Sequence, residues 1–426
     1  MSESHETIVI VGAGIVGSAL AHFLSSSSSS SSTTQRAITL IDRSFGPLLG
    51  STGHAPGFVG QFNESPVLTK LAIDSVSEYT KIPGGFDTVG GLEIAFQPAG
   101  FERLRARCAA AAQRGLDAEM LSLDKAHILA PELVREQRED SSGAGAAVFF
   151  PTDGTADACK ITSFYQASAK KAGVKLLQSS VEKLLFTSDG RIKGVQVLNL
   201  GFVQQLEADK VILTTGIWAR DLCRDLPFPV PVIPVGHPYM HARARRPLPV
   251  REDSKSLPFV RWPEHHVYAR DHGARYGIGS YDHPPVGCAP NAEDGTAIGV
   301  WIPDFRQTLE AARKLLPPAT AAEFEEDASE NQSKSRSFNG IFSMTPDNMP
   351  LAGAVRSVPG LHMAVAVWVT HAAGTAKFLT GLVNGEGADQ ETLEALEPER
   401  FAGRDFATLE EESLCGYNSI YKTVAK

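Results

Sequence analysis

The chain has 426 residues, 42% of them hydrophobic and 21% charged, which is the composition of a globular protein with ample core. Its formal net charge of −9, with no basic block, argues against nucleic acid as the main partner. The five cysteines form no C-x-x-C pair, so they suggest neither a disulfide framework nor a metal site. The N-terminus lacks the basic segment of a secretory leader and no apolar run reads as a membrane span, so we expect a cytoplasmic protein without membrane contact.

The most informative motif lies near the N-terminus. Residues 8–11 are apolar and β-branched, which predicts a buried strand, and the apolar periodicity of residues 15–24 predicts a helix. Gly12, Gly14 and Gly17 follow the strand in the G-x-G-x-x-G spacing. The first glycine permits a tight turn, the second leaves room for a pyrophosphate at the backbone, and the third lets helix and strand pack closely. The N-terminus of the helix then faces the phosphates.

A second predicted strand, at residues 37–41, ends in Asp42, whose carboxylate can accept hydrogen bonds from ribose hydroxyls. This acidic residue usually lies about 20 residues beyond the glycines. Asp42 lies 25 residues beyond Gly17, and the Ser/Thr tract at residues 25–34 accounts for the excess. Such a tract cannot form a core, so we expect a surface loop between the helix and the strand.

The rest of the chain alternates helical and strand-like patterns, which predict an α/β protein. Taken with its antiparallel sheet, the whole chain is α+β overall. In it a Rossmann-like nucleotide-binding domain of the flavin-binding type is interleaved with an antiparallel-sheet substrate domain. In chain order the patterns predict a Gly/Ser/Pro-rich loop (50–60), a helix (66–79), a strand (89–97), two helices (101–115 and 121–138), a flexible connection (141–146), a helix (157–172), a strand (174–177), a hairpin (181–186 with 191–198), a strand (210–215), a short helix (217–221), a proline-dense segment (227–234), a strand-rich block with interleaved Tyr, His, Arg and Trp (235–302), a helix (308–326), two strands (within 338–367) and a last helix (374–383).

Three further segments resemble one family closely. They are S-T-G-H-A-P-G at 51–57, F-N-G-I-F-S-M-T-P-D at 338–347 and V-W-V-T-H-A-A-G at 367–374. With the glycine motif, they resemble the flavoprotein part of dimethylglycine oxidases and of sarcosine or dimethylglycine dehydrogenases, in the glycine/D-amino-acid oxidase superfamily. The resemblance covers nearly the whole chain. Larger members of the family add a C-terminal folate-binding region, and we expect a member without that region.

The resemblance implies a discontinuous domain organisation. The FAD-binding domain is expected to comprise residues 1–85, 145–225 and 335–385, the substrate domain residues 86–144 and 226–334, and a C-terminal extension residues 386–426.

His54 is the most specific single residue that the resemblance implies. In this family the histidine of this segment is bonded to the 8α-methyl carbon of the flavin, so His54 is expected to carry FAD covalently. The chemistry requires a neutral imidazole nitrogen as nucleophile. The alternative is an ordinary loop histidine that only contacts the flavin. Gly53 stands where a serine is commoner in the family.

The remaining cofactor contacts are expected from both ends of the nucleotide domain. Asp42 and Arg43 would hold the adenosine ribose, and Ser51 and Thr52 the pyrophosphate or the ribityl chain. The backbone at residue 181 would contact adenine. The N–H groups that begin the last helix would stabilise negative charge on the reduced flavin, with Gly374 allowing close approach. The complete set expected to bind FAD is Gly12, Gly14, Ile15, Val16, Gly17, Asp42, Arg43, Ser51, Thr52, Gly53, His54, Phe58, Val181, Val367, Trp368, Val369 and Thr370.

Two residues of the strand-rich block are expected to act on the substrate, because by resemblance they match residues that line the amine pocket. His237, with an ordinary pKa near ~6.5, can take a proton from an amine. Tyr268 can donate a hydrogen bond to a substrate carboxylate, and its alternative is a core aromatic residue with a satisfied hydroxyl. Pro238 departs from the commoner family residue, so the local geometry can differ. Further candidates, each with a structural alternative, are Tyr281, His283 and His371.

The resemblance implies an FAD-dependent enzyme that oxidises a secondary or tertiary N-methyl amine or amino acid to an iminium. Hydrolysis of the iminium gives the demethylated amine and formaldehyde. The expected partners are a small-molecule amine and O2 as the electron acceptor. Three alternatives stay open: an amine dehydrogenase that uses an electron carrier, an oxidase of D-amino-acid type with noncovalent FAD, and a flavin-binding redox sensor without turnover.

Overall fold

The computed structural model describes residues 5–26, 35–136, 145–199, 201–244, 256–291, 293–325 and 336–420. Most of the predicted serine loop at 25–34 and of the predicted connection at 141–146 lies outside the described residues.

Strands and helices of the described residues have the following bounds. The strands are β1 His5–Val11, β2 Gln35–Asp42, β3 Phe58–Val59, β4 Phe86–Asp87, β5 Gly91–Ala95, β6 Glu119–Ser122, β7 Ala146–Phe150, β8 Gly154–Ala156, β9 Lys175–Gln178, β10 Ser180–Phe186, β11 Ile192–Asn199, β12 Phe202–Glu207, β13 Lys210–Leu213, β14 Ile233–His241, β15 Phe259–Trp262, β16 Val267–Asp271, β17 Tyr276–Ser280, β18 Ile298–Gly299, β19 Ser337–Met344, β20 Leu351–Ala354 and β21 Leu361–Val365. The helices are α1 Ile15–Ser26, α2 Pro66–Tyr79, α3 Pro98–Gln113, α4 Leu123–Leu129, α5 Ala158–Lys171, α6 Ala219–Leu222, α7 Phe305–Arg313, α8 Pro318–Ala322, α9 Ala372–Val383, α10 Gln390–Leu396 and α11 Phe406–Tyr417.

The first sheet has the strand order β20-β21-β13-β1-β2-β9, and all its strands except β20 are parallel. Ile8 and Ile10 of β1 belong to a buried apolar core that also contains residues of helices α1, α2, α5 and α9. Val9 and Val11 face the other way, onto the antiparallel sheet β10-β11-β12. Because β1 is buried on both faces, its sequence is continuously apolar rather than alternating.

The second sheet has nine strands in the order β18-β19-β14-β17-β16-β15-β5-β7-β6. Its pairs are antiparallel except β15 with β5, which run parallel. Helix α11 packs against β14 and β19 of this sheet. Strand β19 also contacts the loop that follows β2, so the two sheets meet at the carboxyl end of the first one.

The predicted fold class is confirmed, and helix α2 has the bounds expected from the sequence. Three element predictions are wrong. The helix expected at 308–326 is two helices, because Pro317 and Pro318 lack the N–H groups that would continue the first. The helix expected at 121–138 ends at Leu129 and begins after a strand. The region 338–367 holds three strands rather than two.

The domain boundaries and the cytoplasmic location stay predictions. None of the helices in the described ranges combines the length and the apolarity needed to cross a bilayer.

We predict that Gly17→Ala lowers the stability of the protein, because there is no room for a methyl group. A Cβ at Gly17 would lie 1.9 Å from the carbonyl oxygen of Gly12 and 2.4 Å from Thr214 Oγ1. The expected loss is about 2 kcal/mol, the range of overpacked cores, even though alanine favours a helix. The midpoint of chemical unfolding measures it. Gly46→Ala is the control, since a Cβ there meets nothing within 4 Å; equal midpoints for the two variants would contradict the packing argument.

Candidate cofactor and substrate site

The glycine turn after β1 is held by its neighbours on both sides. Gly12 has φ +103°, a conformation that glycine adopts without strain, and its N–H donates to the carbonyl of Ile41 at 2.8 Å. Thr214 Oγ1 donates to the carbonyls of Val11 and Gly12 at 2.9 and 2.8 Å. The start of α1 is therefore fixed against the carboxyl ends of β1, β2 and β13.

Asp42 lies beside this turn, at the end of β2. Its Oδ2 accepts a hydrogen bond from the N–H of Ala13 at 2.6 Å, and its Oδ1 accepts from the N–H of Ser44 at 3.0 Å. Arg43 stacks over the ring of Trp218, with 4.4 Å from the guanidinium carbon to the ring centroid. The acidic residue is thus hydrogen-bonded directly to the glycine turn.

A cavity of about 500 Å³ begins at this turn and extends to the second sheet. It brings together most of the residues expected from the sequence. Gly17 and Gly53 lie behind the wall, where each permits close packing: a Cβ at Gly53 would lie 2.1 Å from the carbonyl oxygen of Leu48. The expected residues that line the cavity are Gly12, Gly14, Ile15, Val16, Asp42, Arg43, Ser51, Thr52, His54, Phe58, Val181, His237, Tyr268, Val367, Trp368, Val369 and Thr370.

His54 ends a short 3-10 helix, Ser51–His54, on the cavity wall. Ser51 anchors this helix by donating from Oγ to the carbonyl of Ile341 at 2.9 Å. The Nε2 of His54 is buried and has no hydrogen-bond partner among the described residues. Burial lowers the pKa of His54, against the opposing effects of Asp294 and the Leu49 carbonyl, so the imidazole is neutral at neutral pH.

The last glycine of the third sequence segment has a different role from the one expected. The residues 367–370 that precede α9 line the cavity. Gly374, however, packs against α2: a Cβ there would lie 2.2 Å from the carbonyl oxygen of Leu71, and its N–H donates to Ser75 Oγ at 2.9 Å. Gly374 therefore allows close approach of two helices.

The far part of the cavity, which we call the aromatic end, is lined by Phe58, Tyr239, Tyr268, Tyr281 and Phe342. Adjacent rings are in contact, with 4.7 Å between the centroids of Phe58 and Tyr268 and 5.7 Å between those of Tyr268 and Tyr281.

His237 lies beside these rings, fully buried between two tyrosines. Its Nε2 is 2.8 Å from Tyr268 Oη, and its Nδ1 is 2.6 Å from Tyr417 Oη. The expected pKa near the ordinary value is wrong, because burial, and then the nearby His283, place the pKa of His237 well below it. The imidazole is neutral and both its nitrogens are engaged.

Tyr417 is not among the site residues predicted from the sequence. It lies in α11, within the segment assigned to a C-terminal extension. Its sequence neighbourhood is that of an ordinary amphipathic helix, so no local signal marks it.

A buried ionic cluster beside the aromatic end is likewise not predicted from the sequence. Arg261 lines the cavity, donates to the carboxylate of Glu93, its register partner on β5, and lies over the ring of Phe58. Arg107 binds the same carboxylate with 2.8 and 3.0 Å contacts. Burial would raise the pKa of Glu93, but the two guanidinium groups lower it below its ordinary value. One sequence pattern could have identified this cluster: a single charged residue stands within an apolar strand, as in F-V-R-W and G-L-E-I-A.

Asp153 lies next to this cluster and is also buried. Its Oδ1 accepts a hydrogen bond from the N–H of Gln61 at 2.8 Å, which ties the cavity segment 60–63 to the turn after β7. Burial raises the pKa of Asp153 to about 7, against the hydrogen bond from Gln61 and the charge of Arg261.

A parallel sheet whose glycine turn, acidic strand end and helix N-terminus border one cavity is the arrangement of a dinucleotide-binding oxidoreductase. The unsatisfied His54 Nε2 and the open approach to Gly14 both fit a bound flavin dinucleotide, since a Cβ at Gly14 would meet only Thr52 Oγ1, at 3.1 Å. Residues 7–382 match the family described as FAD dependent oxidoreductase (DAO). The chain belongs to this family of FAD-binding enzymes.

Comparison with individual proteins agrees with the family. The chain is 22% identical to mitochondrial dimethylglycine dehydrogenase of Homo sapiens, over 89% of this chain and 42% of that protein. It is 25% identical to a 4-methylaminobutanoate oxidase (formaldehyde-forming) of Paenarthrobacter nicotinovorans, over 85% of this chain and 41% of that protein. The chain thus spans about two fifths of the length of these curated relatives.

Solved structures show the same fold. An L-proline dehydrogenase of P. horikoshii superposes with a TM-score of 0.76 at 20% identity, covering 93% of this chain and 98% of that one. A glycine oxidase of Geobacillus kaustophilus superposes with a TM-score of 0.71 at 20% identity, covering 94% of this chain and 100% of that one.

We predict that Asp153→Asn changes how stability depends on pH. The folded-state pKa of Asp153 lies above its unfolded value, so its stabilising contribution is complete at low pH and is lost as pH rises through about 7. Asparagine keeps the acceptor for the Gln61 N–H and does not titrate. Between about pH 6 and about pH 9, the free energy of unfolding of the wild type should fall by about 1.4 kcal/mol more than that of Asp153→Asn. Unfolding curves at both pH values measure the difference, and parallel behaviour of the two proteins would show that Asp153 titrates near its ordinary pKa.

Proposed function

We propose that this protein oxidises a secondary or tertiary N-methyl amine that also carries a carboxylate, to an iminium that water hydrolyses to the demethylated amine and formaldehyde. The observation that carries the proposal is one cavity that joins the glycine turn and His54 to an aromatic end with His237 and Arg261. Two relatives support the choice of substrate, since their names describe enzymes that act on dimethylglycine and on 4-methylaminobutanoate, both N-methylated amino acids.

The residues proposed to hold FAD are those of the glycine turn, Asp42 with Arg43 at the ribose, Ser51 and Thr52, residue 181, and the segment 367–370. When bound, FAD supplies the acceptor for the two electrons removed from the C–H bond next to the amine nitrogen. The chain's own contribution is to bind the substrate, to exclude water with the aromatic end, and to handle the amine proton.

We further propose that His54 holds FAD covalently through Nε2. A neutral imidazole is the form that can act as a nucleophile, and burial keeps His54 neutral. The buried nitrogen without a partner among the described residues supports this proposal, because such an atom costs free energy unless another group satisfies it.

The covalent bond predicts that FAD stays with the polypeptide through acid precipitation, and that His54→Ala releases it. The measurement is the flavin absorbance of pellet and supernatant, together with the mass of the peptide that contains residue 54. His265→Ala, at an exposed histidine outside the cavity, should retain the flavin like wild type. An unmodified residue-54 peptide from yellow wild-type protein would contradict the covalent attachment.

Arg261 is proposed to bind the substrate carboxylate. Its guanidinium lines the cavity at the aromatic end, where the Glu93 carboxylate holds it in place. Arginine and carboxylate pair in a planar, two-bond geometry that also orients the amine.

The substrate proposal is tested by anaerobic titration of the flavin absorbance with N-methyl amino acids and with their methyl esters. We predict that the free acids reduce the flavin faster than the esters, and that Arg261→Met removes this preference. The expected loss of kcat/KM for the acids is about 10- to 100-fold, since a hydrogen-bonded charge contributes about 1.5–3 kcal/mol. Arg105→Gln, at an exposed arginine of α3, is the matched control. If the preference for acids survives in Arg261→Met, another group binds the carboxylate.

Two extensions of these titrations separate the remaining alternatives: O2 is admitted to the reduced flavin, and D-amino acids are added to the set of substrates. Rapid reoxidation of the reduced flavin by O2, with peroxide formed, identifies an oxidase, and slow reoxidation identifies a dehydrogenase that uses an electron carrier. Reduction by D-amino acids alone would favour an oxidase of D-amino-acid type. A flavin that no amine reduces would favour a redox sensor.

A further inference from the structure

A continuous chain of hydrogen bonds leads from the aromatic end of the cavity toward the surface. Tyr268 Oη lies 2.8 Å from His237 Nε2, and His237 Nδ1 lies 2.6 Å from Tyr417 Oη. The chain continues from Tyr417 Oη to His283 Nε2 at 2.8 Å, and from His283 Nδ1 to the carbonyl oxygen of Pro284 at 2.8 Å. Four side chains and one carbonyl are thus connected in series.

The carbonyl at the outer end determines the direction of every bond in this chain. A carbonyl only accepts, so His283 carries its proton on Nδ1, and in the neutral imidazole Nε2 must then accept from Tyr417. Because Tyr417 donates its O–H to His283, its oxygen accepts from His237 Nδ1–H. His237 is neutral, so its Nε2 in turn accepts the O–H of Tyr268.

This direction defines what Tyr268 offers to a ligand. Because the Tyr268 hydroxyl donates its proton to His237, its oxygen can only accept a hydrogen bond from a ligand in the cavity. The ligand group that it fits is an N–H, as in a protonated or neutral secondary amine or a protonated tertiary amine. The expectation that Tyr268 donates to a carboxylate disagrees with this geometry, and Arg261 is the better group for that role.

The outer end of the hydrogen-bond chain, at His283, is better suited to hold a charge than its centre, at His237. The groups that face His283 are Tyr417 from α11, the ring of Phe305 from α7 at 4.7 Å, the side chain of Asn418, which donates to the His283 carbonyl at 2.8 Å, and the exposed carboxylate of Asp282. Burial lowers the pKa of His283, and the Pro284 carbonyl and Asp282 oppose that effect.

The surroundings of His237 are different. Its ring lies against Tyr281 at 4.5 Å and Phe342 at 4.9 Å, and burial, with His283 adding to it, places its pKa well below the ordinary value. A proton that enters the chain is therefore more stable on His283 than on His237.

We propose that Tyr417 and His283 are positioning residues that hold Tyr268 as a hydrogen-bond acceptor for the substrate N–H and carry the amine proton outward. The step is a set of proton shifts without oxidation. The substrate ammonium loses H⁺ to Tyr268 Oη, Tyr268 gives its own proton to His237 Nε2, His237 gives the Nδ1 proton to Tyr417, and Tyr417 gives its proton to His283 Nε2. The products are a neutral amine and an imidazolium on His283, so charge and protons balance.

This inference rests on the proposed amine oxidation, and its first test does not depend on it. In the holoenzyme labelled with ¹⁵N-histidine, NMR shifts report which ring nitrogen carries the proton. His237→Gln and His283→Gln assign the two signals. Both imidazoles should be neutral and protonated on Nδ1. A proton on Nε2 of either ring would overturn the inference, whether or not any amine reduces the flavin.

The second test uses Tyr417→Phe, which removes the bridging hydroxyl and keeps the ring. Anaerobic flavin reduction by an N-methyl amino acid should become about 10-fold slower or more near neutral pH, and its pH profile should move to higher pH, because the amine must lose its proton to water instead. The flavin spectrum should stay that of wild type. Tyr165→Phe is the matched control, since this buried hydroxyl has no partner among the described residues and lies outside the cavity.

Two further comparisons keep the test decisive. If Tyr417→Phe fails to bind flavin, His283→Gln must show the same shift of the pH profile. If either variant retains flavin, and the amine reduces that flavin with the wild-type rate and pH profile, the hydrogen-bond chain has only a structural role and the inference is wrong. A wild-type protein that no amine reduces would instead contradict the proposed function, and the NMR result would then decide the direction of the chain alone.

Discussion

The close contact between the start of α1 and the ends of β1 and β13 is the constraint on which the rest of the site depends. Gly17 leaves no space for a side chain against Gly12 and Thr214, and Thr214 Oγ1 closes the turn by donating to two carbonyls. The helix N-terminus is thereby fixed at the edge where the parallel strands end. Since β1, β2, β13 and β21 all end at that edge, residues far apart in the chain border one cavity.

The second sheet determines what the other end of the cavity can bind. Parallel pairing of β15 with β5 places Arg261 beside Glu93, and α3 adds Arg107 to the same carboxylate. Burying these charges is expensive, and removing one partner of such a pair costs about 3–5 kcal/mol because the other charge is left unpaired. A guanidinium that is both buried and anchored keeps its position at the cavity wall, which the proposed binding of a carboxylate requires.

Helix α11, near the C-terminus of the polypeptide, also contributes a residue to the site. It packs against β14 and β19, and its Tyr417 enters the core beside His237. The polar groups around His237 are buried, so each needs a partner, and the alternating tyrosines and histidines supply them without a formal charge. A chain of neutral groups can hold a defined hydrogen-bond direction in a low-dielectric interior, whereas an imidazolium at the same place would be destabilised by desolvation.

The sequence by itself determined the part of the cavity that begins at the glycine turn. The glycine spacing, the apolar strand, Asp42 and the segment around His54 are local patterns, and local patterns specify the turns, helices and strands that present them. Only the tertiary structure decided the aromatic end, where we propose that the substrate binds. Arg261 with Glu93, Asp153 with Gln61, and Tyr417 with His237 are contacts between strands and helices distant in the chain, so no spacing in the sequence encodes them. The pKa values of these groups follow from burial and neighbouring charges, which exist only once the sheets have packed.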